Sequence, residues 1–274
     1  MPPFTTRTER RAAWFLAPAV ALLALTLPAA ADAISRGTPD HGHTMVAALG
    51  ALDPDTGLVH QGCNATLVTD TVLVTAGHCV SPLSAPPVGL LRVDFDPDAT
   101  PDDAGWLPVA AAYAPLQFTL QRGAIEDVGV VVLPEGAAPD VPHATLPPAG
   151  KLSALASRAG LVGVSFDLVG YGCDHFGSTS GLKSVRCGSS ARTFATAPFG
   201  GLTQKWLKLR INGVATGEGG QCRGDSGSPA FLPGTLELVA VTSGGDQWCR
   251  ENATDYRLDT ETAQAFLADH GALP

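Results

Sequence analysis

The chain has 274 residues, 45% of them hydrophobic, with 31 glycines, 22 prolines and a formal charge of −9 at pH 7. An acidic surface repels phosphate backbones and anionic lipid, which argues against nucleic acid and charged membranes as partners. The length suffices for one large core or two packed lobes.

The chain opens as a secretory signal. Arg7, Arg10 and Arg11 form a basic start, and an apolar run extends from Ala12 to about Leu27. Ala31-Asp32-Ala33 then fits the small-x-small cleavage rule. The run is shorter than the ~20 residues of a membrane span, and Pro18 interrupts it. Residues 1–33 are therefore expected to be removed, leaving a secreted chain that starts at Ile34 and has no membrane segment. Cys63, Cys79, Cys173, Cys187, Cys222 and Cys249 all fall in that part. An even number after a signal implies disulfides, although spacing alone leaves the pairing open. No pair has C-x-x-C spacing, so a zinc site is not expected.

Strand signals dominate the rest of the chain. Leu67–Thr69 and Thr71–Val74 are β-branched runs broken at Asp70. An acidic stretch, Asp94, Asp96, Asp98, Asp102 and Asp103, has the oxygens of a calcium loop. Ala99 and Gly105 stand where an EF-hand needs its turn glycine and closing glutamate, so a solvated loop is expected. Val128–Leu133 reads as a strand buried on both sides. Pro134 to Gly150 has no periodicity and reads as a crossing between two lobes. Lys205–Ile211 alternates, with Leu207, Leu209 and Ile211 on one face, and Leu236–Val241 is another apolar strand. Glycine and proline punctuate the intervals, which predicts an all-β barrel or sandwich. One helix is expected at the end, capped by Asp259, with Ala263, Phe266 and Leu267 on one face and Gly271 as its stop.

Three segments carry the chemistry. Gly224-Asp225-Ser226-Gly227-Ser228-Pro229 puts a serine between glycines, with an exposed hydroxyl and free backbone N–H groups. Thr75-Ala76-Gly77-His78-Cys79 supplies an imidazole, a group that titrates near neutrality, after a β-branched strand. Asp127 stands between them, directly before an apolar strand, with Glu126 as its immediate rival. The order His, Asp, Ser is one known order for the acyl-transfer triad.

With these motifs the chain resembles the trypsin/chymotrypsin family of serine endopeptidases, most nearly its secreted bacterial members. The resemblance implies an all-β fold of two packed antiparallel β-barrels with a C-terminal α-helix. The lobes would be residues 34–140 and 141–274, together one peptidase domain. It implies Ser226 as nucleophile, His78 as base and Asp127 as orienting carboxylate, with Gly224 and Ser226 N–H groups as the oxyanion hole. Asp225 would pair with the new amine of Ile34. The resemblance joins Cys63 to Cys79 and Cys222 to Cys249, which leaves Cys173 with Cys187.

For the substrate pocket the resemblance implies Gly220 at the floor, Gln221 and Arg223 at wall and rim, and Ser243, Gly245 and Ala253 around them. An uncharged Gly220 predicts apolar or aromatic P1 residues rather than basic ones. Gly244 departs from the aromatic usual there, and Asn64-Ala65 from small glycines. Protein or peptide substrates, no cofactor and no metal, and a monomer are the expectations. The alternatives are an inactive homologue that only binds partners, and an esterase using the same acyl chemistry.

Overall fold

The computed structural model describes residues 34–102, 104–115, 126–177, 184–186, 191–246 and 248–273. β1 (Thr38–Pro39) comes first in the chain; the first lobe's sheet contains β2 (Val46–Leu52), β3 (Val59–Leu67), β4 (Val72–Thr75), β5 (Leu91–Asp94), β6 (Leu107–Pro108), β7 (Ala111–Tyr113) and β8 (Gly129–Val132). After helix α1 (Lys151–Ser157) come β9 (Ser165–Gly170), β10 (Asp174–Gly177), β11 (Ser184–Arg186), β12 (Thr193–Leu202) and β13 (Trp206–Arg210). A short helix α2 (Gly213–Thr216), strands β14 (Pro229–Phe231), β15 (Leu238–Gly245) and β16 (Asn252–Arg257), and helix α3 (Glu261–Asp269) complete it.

Two antiparallel sheets carry the molecule. The first runs β6-β5-β2-β3-β4-β8-β7 and forms a half-barrel. The second runs β12-β13-β16-β15-β14-β9, and β9 pairs back onto β12, closing a six-stranded barrel. The two lobes therefore differ in closure. β1 crosses to pair with β12, so the start of the described chain straps the half-barrel to the closed barrel.

Burial matches the sequence pattern. Val72, Leu73 and Val74 of β4 are all buried, as are Val130 and Val131 of β8 opposite them. On β13, Leu207 and Leu209 are fully buried while Lys208 and Arg210 are exposed, the period-two signature of a strand with one face on a core. One apolar cluster fills the half-barrel and runs on into the contact between the lobes. A second fills the closed barrel.

Between the lobes lies a polar clamp. Arg192, almost wholly buried, donates from Nε to Asp40 at 3.0 Å and from Nη1 to the carbonyls of Val46 and Phe95 and to the Tyr171 hydroxyl. The crossing segment is stitched to both sides. Ala144 N–H donates to the Leu67 carbonyl of the half-barrel, and the next residue, Thr145, donates to the Leu236 carbonyl of the closed one.

Two local expectations change. Thr260, not Asp259, caps α3, its hydroxyl accepting from Ala263 N–H. Asp259 is buried instead and accepts from the Leu152 N–H in the first turn of α1 and from Arg257. A long-range partner thus takes the carboxylate that local capping would have used. In the acidic stretch Asp94 is buried rather than solvated, while Asp96 and Asp98 make short turns with their own neighbours; Asp103 lies outside the described residues.

Candidate active site

Strand register assembles the first half of the site. β4 and β8 are antiparallel, with Thr75 opposite Gly129. His78 lies just beyond the end of β4 and Asp127 just before the start of β8, so the pairing brings them together from distant positions. The Asp127 carboxylate receives the His78 backbone N–H at 2.8 Å and meets the ring Nδ1 at 2.9 Å. Gly77 lets the turn sit this close, since a Cβ there would stand 2.9 Å from the Val128 carbonyl.

Asp127 is buried, and it also accepts from the Ser243 hydroxyl on β15 of the other lobe. Burial works to raise its pKa. The His78 hydrogen bond and charge and the Ser243 hydroxyl outweigh that and hold it below the usual carboxylate value. Glu126, the sequence rival, points elsewhere: its carboxylate binds Lys205 at 2.6 Å and the Tyr256 hydroxyl.

The second half is the turn before β14. Ser226 and His78 line the same cleft, although no hydrogen bond joins them in this conformation. Such contacts commonly tighten only when substrate is bound. Gly224 and Gly227 have φ of +84° and +80°, a region costly for residues with a side chain. Gly227 packs against the Asn64 carbonyl and the Thr75 hydroxyl, where a Cβ has no room. The Gly224 and Ser226 N–H groups donate to no partner among the described residues.

Side chains of the half-barrel hold this turn. Asn64 Nδ2 and Gln61 Nε2 both donate to the Gly224 carbonyl, at 2.8 and 2.9 Å. Asn64 N–H donates to the Ser226 carbonyl at 2.7 Å, and Asn64 Oδ1 accepts from Tyr171 N–H. The departure from glycine at Asn64 pointed to this position; Gln61 carried no sequence signal.

Asp225 is fully buried and accepts from the N–H groups of Cys222 and Gly172. Burial pushes its pKa up to about 7. Ile34 is also buried, its N–H donating to the Thr193 hydroxyl at 2.7 Å, and it is not bonded to Asp225. Ser35 and Gly220 form an antiparallel bridge.

Beside Ser226 is a cavity of about 250 Å³ lined by Gln221, Cys222, Arg223, Thr242, Gly244, Gly245, Asp246 and Cys249. Gln221, Arg223 and Gly245, three of the residues the resemblance proposes for the substrate pocket, are in this lining. Gly220 does not form the floor: the bridge to Ser35 turns its Cβ direction into Ile211. Ala253 belongs to the closed barrel's core, and Ser243 serves Asp127 instead of the cavity. Disulfides Cys63–Cys79 and Cys222–Cys249 flank the two halves of the site. The Cys173–Cys187 pairing involves Cys187, which lies outside the described residues. The cluster Cys63, His78 and Cys79 has metal-ligand proximity, but both sulfurs are consumed by their disulfide.

A half-barrel packed against a closed six-stranded barrel is the chymotrypsin-like fold. The family model described as Trypsin matches residues 37–265, and this chain belongs to that family as a serine endopeptidase. A solved structure of HL collagenase, at 1.7 Å resolution, superposes with a TM-score of 0.66 at 13% identity, covering 88% of this chain and all of the other. At that identity the likeness speaks for the fold. No curated protein sequence matches this chain. The family implies protein or peptide substrates.

Proposed function

We propose that the protein is a secreted endopeptidase that cleaves peptide bonds through an acyl-enzyme on Ser226. His78 removes the Ser226 proton as the hydroxyl attacks the scissile carbonyl, then returns it to the leaving amine. Asp127 holds the imidazole in the tautomer that leaves its far nitrogen free for this work and stabilises the imidazolium. The N–H groups of Gly224 and Ser226 receive the oxyanion, each contributing roughly 3–4 kcal/mol to the transition state. These steps need only the side chains and amides named.

The observation that carries this reading is the Asp127 carboxylate. It is buried between the His78 ring and the Ser243 hydroxyl, in a site whose cleft also holds Ser226. A fluorophosphonate probe tests it. Labelling at Ser226 that disappears in His78→Ala supports the triad; folded protein that takes no label refutes it.

Secretion and activation belong to the same proposal. Cleavage after Ala33 frees an α-amine at Ile34. Asp225 is a fully buried carboxylate that accepts from backbone N–H groups and pairs with no cation among the described residues. The new amine at Asp225 offsets the cost of ionising it, so signal removal itself completes the oxyanion turn. The enzyme then acts as a monomer. N-terminal sequencing of secreted active protein tests this, and a retained extension before Ile34 refutes it.

A further inference from the structure

Behind the lining of the cavity beside Ser226 stands a buried carboxylate, Asp255. Asp255 lies on β16 directly opposite Thr242 of β15, and Thr242 lines the cavity. Asp255 is fully buried, and its Oδ2 accepts from Gln221 Nε2 at 3.2 Å. Gln221 also lines the cavity and is itself buried, so it stands between the carboxylate and the open space.

Two atoms in this group have no hydrogen-bond partner among the described residues: Asp255 Oδ1 and Gln221 Oε1. Both are acceptors. Two buried orphan acceptors, one on a lining residue and one directly behind it, favour a ligand that brings N–H donors and positive charge. An apolar side chain would leave both unpaired. The other charges at the cavity agree or are weak. Asp246, already receiving three backbone N–H groups, adds a second carboxylate, while Arg223 is exposed and screened by water.

Resting on the serine-endopeptidase reading, we propose that Asp255, with Gln221, is the specificity determinant of this pocket and selects arginine or lysine at P1. The charge missing from Gly220 is supplied from a different strand. Burial holds the Asp255 pKa up at about 7 against the Gln221 hydrogen bond, so an entering guanidinium or ammonium favours the ionised form by charge pairing. This reverses the apolar preference that Gly220 alone suggested.

The test uses the secreted enzyme and a peptide p-nitroanilide series with P1 Arg, Lys, Phe, Leu, Gln and Glu. Fluorophosphonate labelling of Ser226 first establishes the parent reading by itself. The expected result is a kcat/KM for Arg and Lys at least about tenfold above the rest, the scale of a charge-assisted contact. Asp255→Asn should lower the Arg-to-Leu ratio by about tenfold to a hundredfold. Benzamidine should slow labelling of the wild-type enzyme, a readout that does not depend on the variant folding. Labelled enzyme that prefers Phe, Leu, Gln or Glu, or that benzamidine leaves unaffected, overturns the proposal. An Arg-to-Leu ratio unchanged in folded Asp255→Asn does so as well.

Discussion

Asn64 of the half-barrel donates its side-chain amide to the Gly224 carbonyl of the closed barrel at 2.8 Å. The turn proposed to receive the oxyanion is thus anchored from across the cleft. Removing the amide leaves the Gly224 carbonyl held by Gln61 alone and loosens the turn that carries the donors. Asn64→Ala is expected to lower kcat about tenfold with little change in KM, because the lost contact matters most in the transition state. Steady-state kinetics on a good peptide substrate checks this. Affinity for a peptide boronate should fall in parallel.

Asp127 orients His78 and is itself held by Ser243. Asp127→Asn should reduce kcat by about 10⁴, since the amide stabilises the wrong imidazole tautomer. Ser243→Ala removes one donor to the carboxylate and should produce a much smaller loss. Comparing the two by single-turnover acylation separates the orienting role from its support.

Arg192 and Asp40 form a buried pair between the lobes. Burial works to raise the Asp40 pKa, but His43 and Arg192 outweigh it and hold the carboxyl at about 2. A depressed folded pKa means stability that is present above about pH 4 and lost as pH falls towards 2. The loss amounts to about 2 kcal/mol. Arg192→Met leaves Asp40 buried without this cation and should destabilise by about 3–5 kcal/mol. Urea titrations of a Ser226→Ala background, which cannot digest itself, measure both.

Asp255 gives the opposite sign. Its folded pKa of about 7 lies above the ordinary value of 3.8. Its contribution is complete below about pH 4 and is lost as pH rises through 7. The slope is about 1.4 kcal/mol per pH unit in that window. Asp255→Asn in the Ser226→Ala background should therefore flatten the fall in stability between about pH 5 and pH 7. Equal slopes in the two proteins would show that burial does not hold this carboxyl's pKa above its unfolded value.

Gly227 has φ of +80° and packs against Asn64 and Thr75. Gly227→Ala should fail to form the turn and should show a lowered Tm with no fluorophosphonate labelling. Gly57, also at positive φ but with open space around it, is the control: alanine there should keep labelling and cost only backbone strain.

Much of this protein was legible in its sequence because the relevant signals are local. Alternation from Lys205 to Ile211 marked β13, and the β-branched runs marked β4 and β8, since strand periodicity is written residue by residue. The serine and histidine motifs carried their chemistry in a few adjacent residues. Tertiary structure decided the rest. Of two neighbouring acids, Asp127 meets His78 while Glu126 meets Lys205 and Tyr256, because adjacent side chains leave the backbone on different sides. Asp259 caps α1 instead of its own helix, and Gly220 turns away from the pocket to bridge Ser35. Asp255 stands opposite the cavity-lining Thr242 only through the β15–β16 register. Register and long-range pairing depend on which strands meet, and no local window of sequence contains that information.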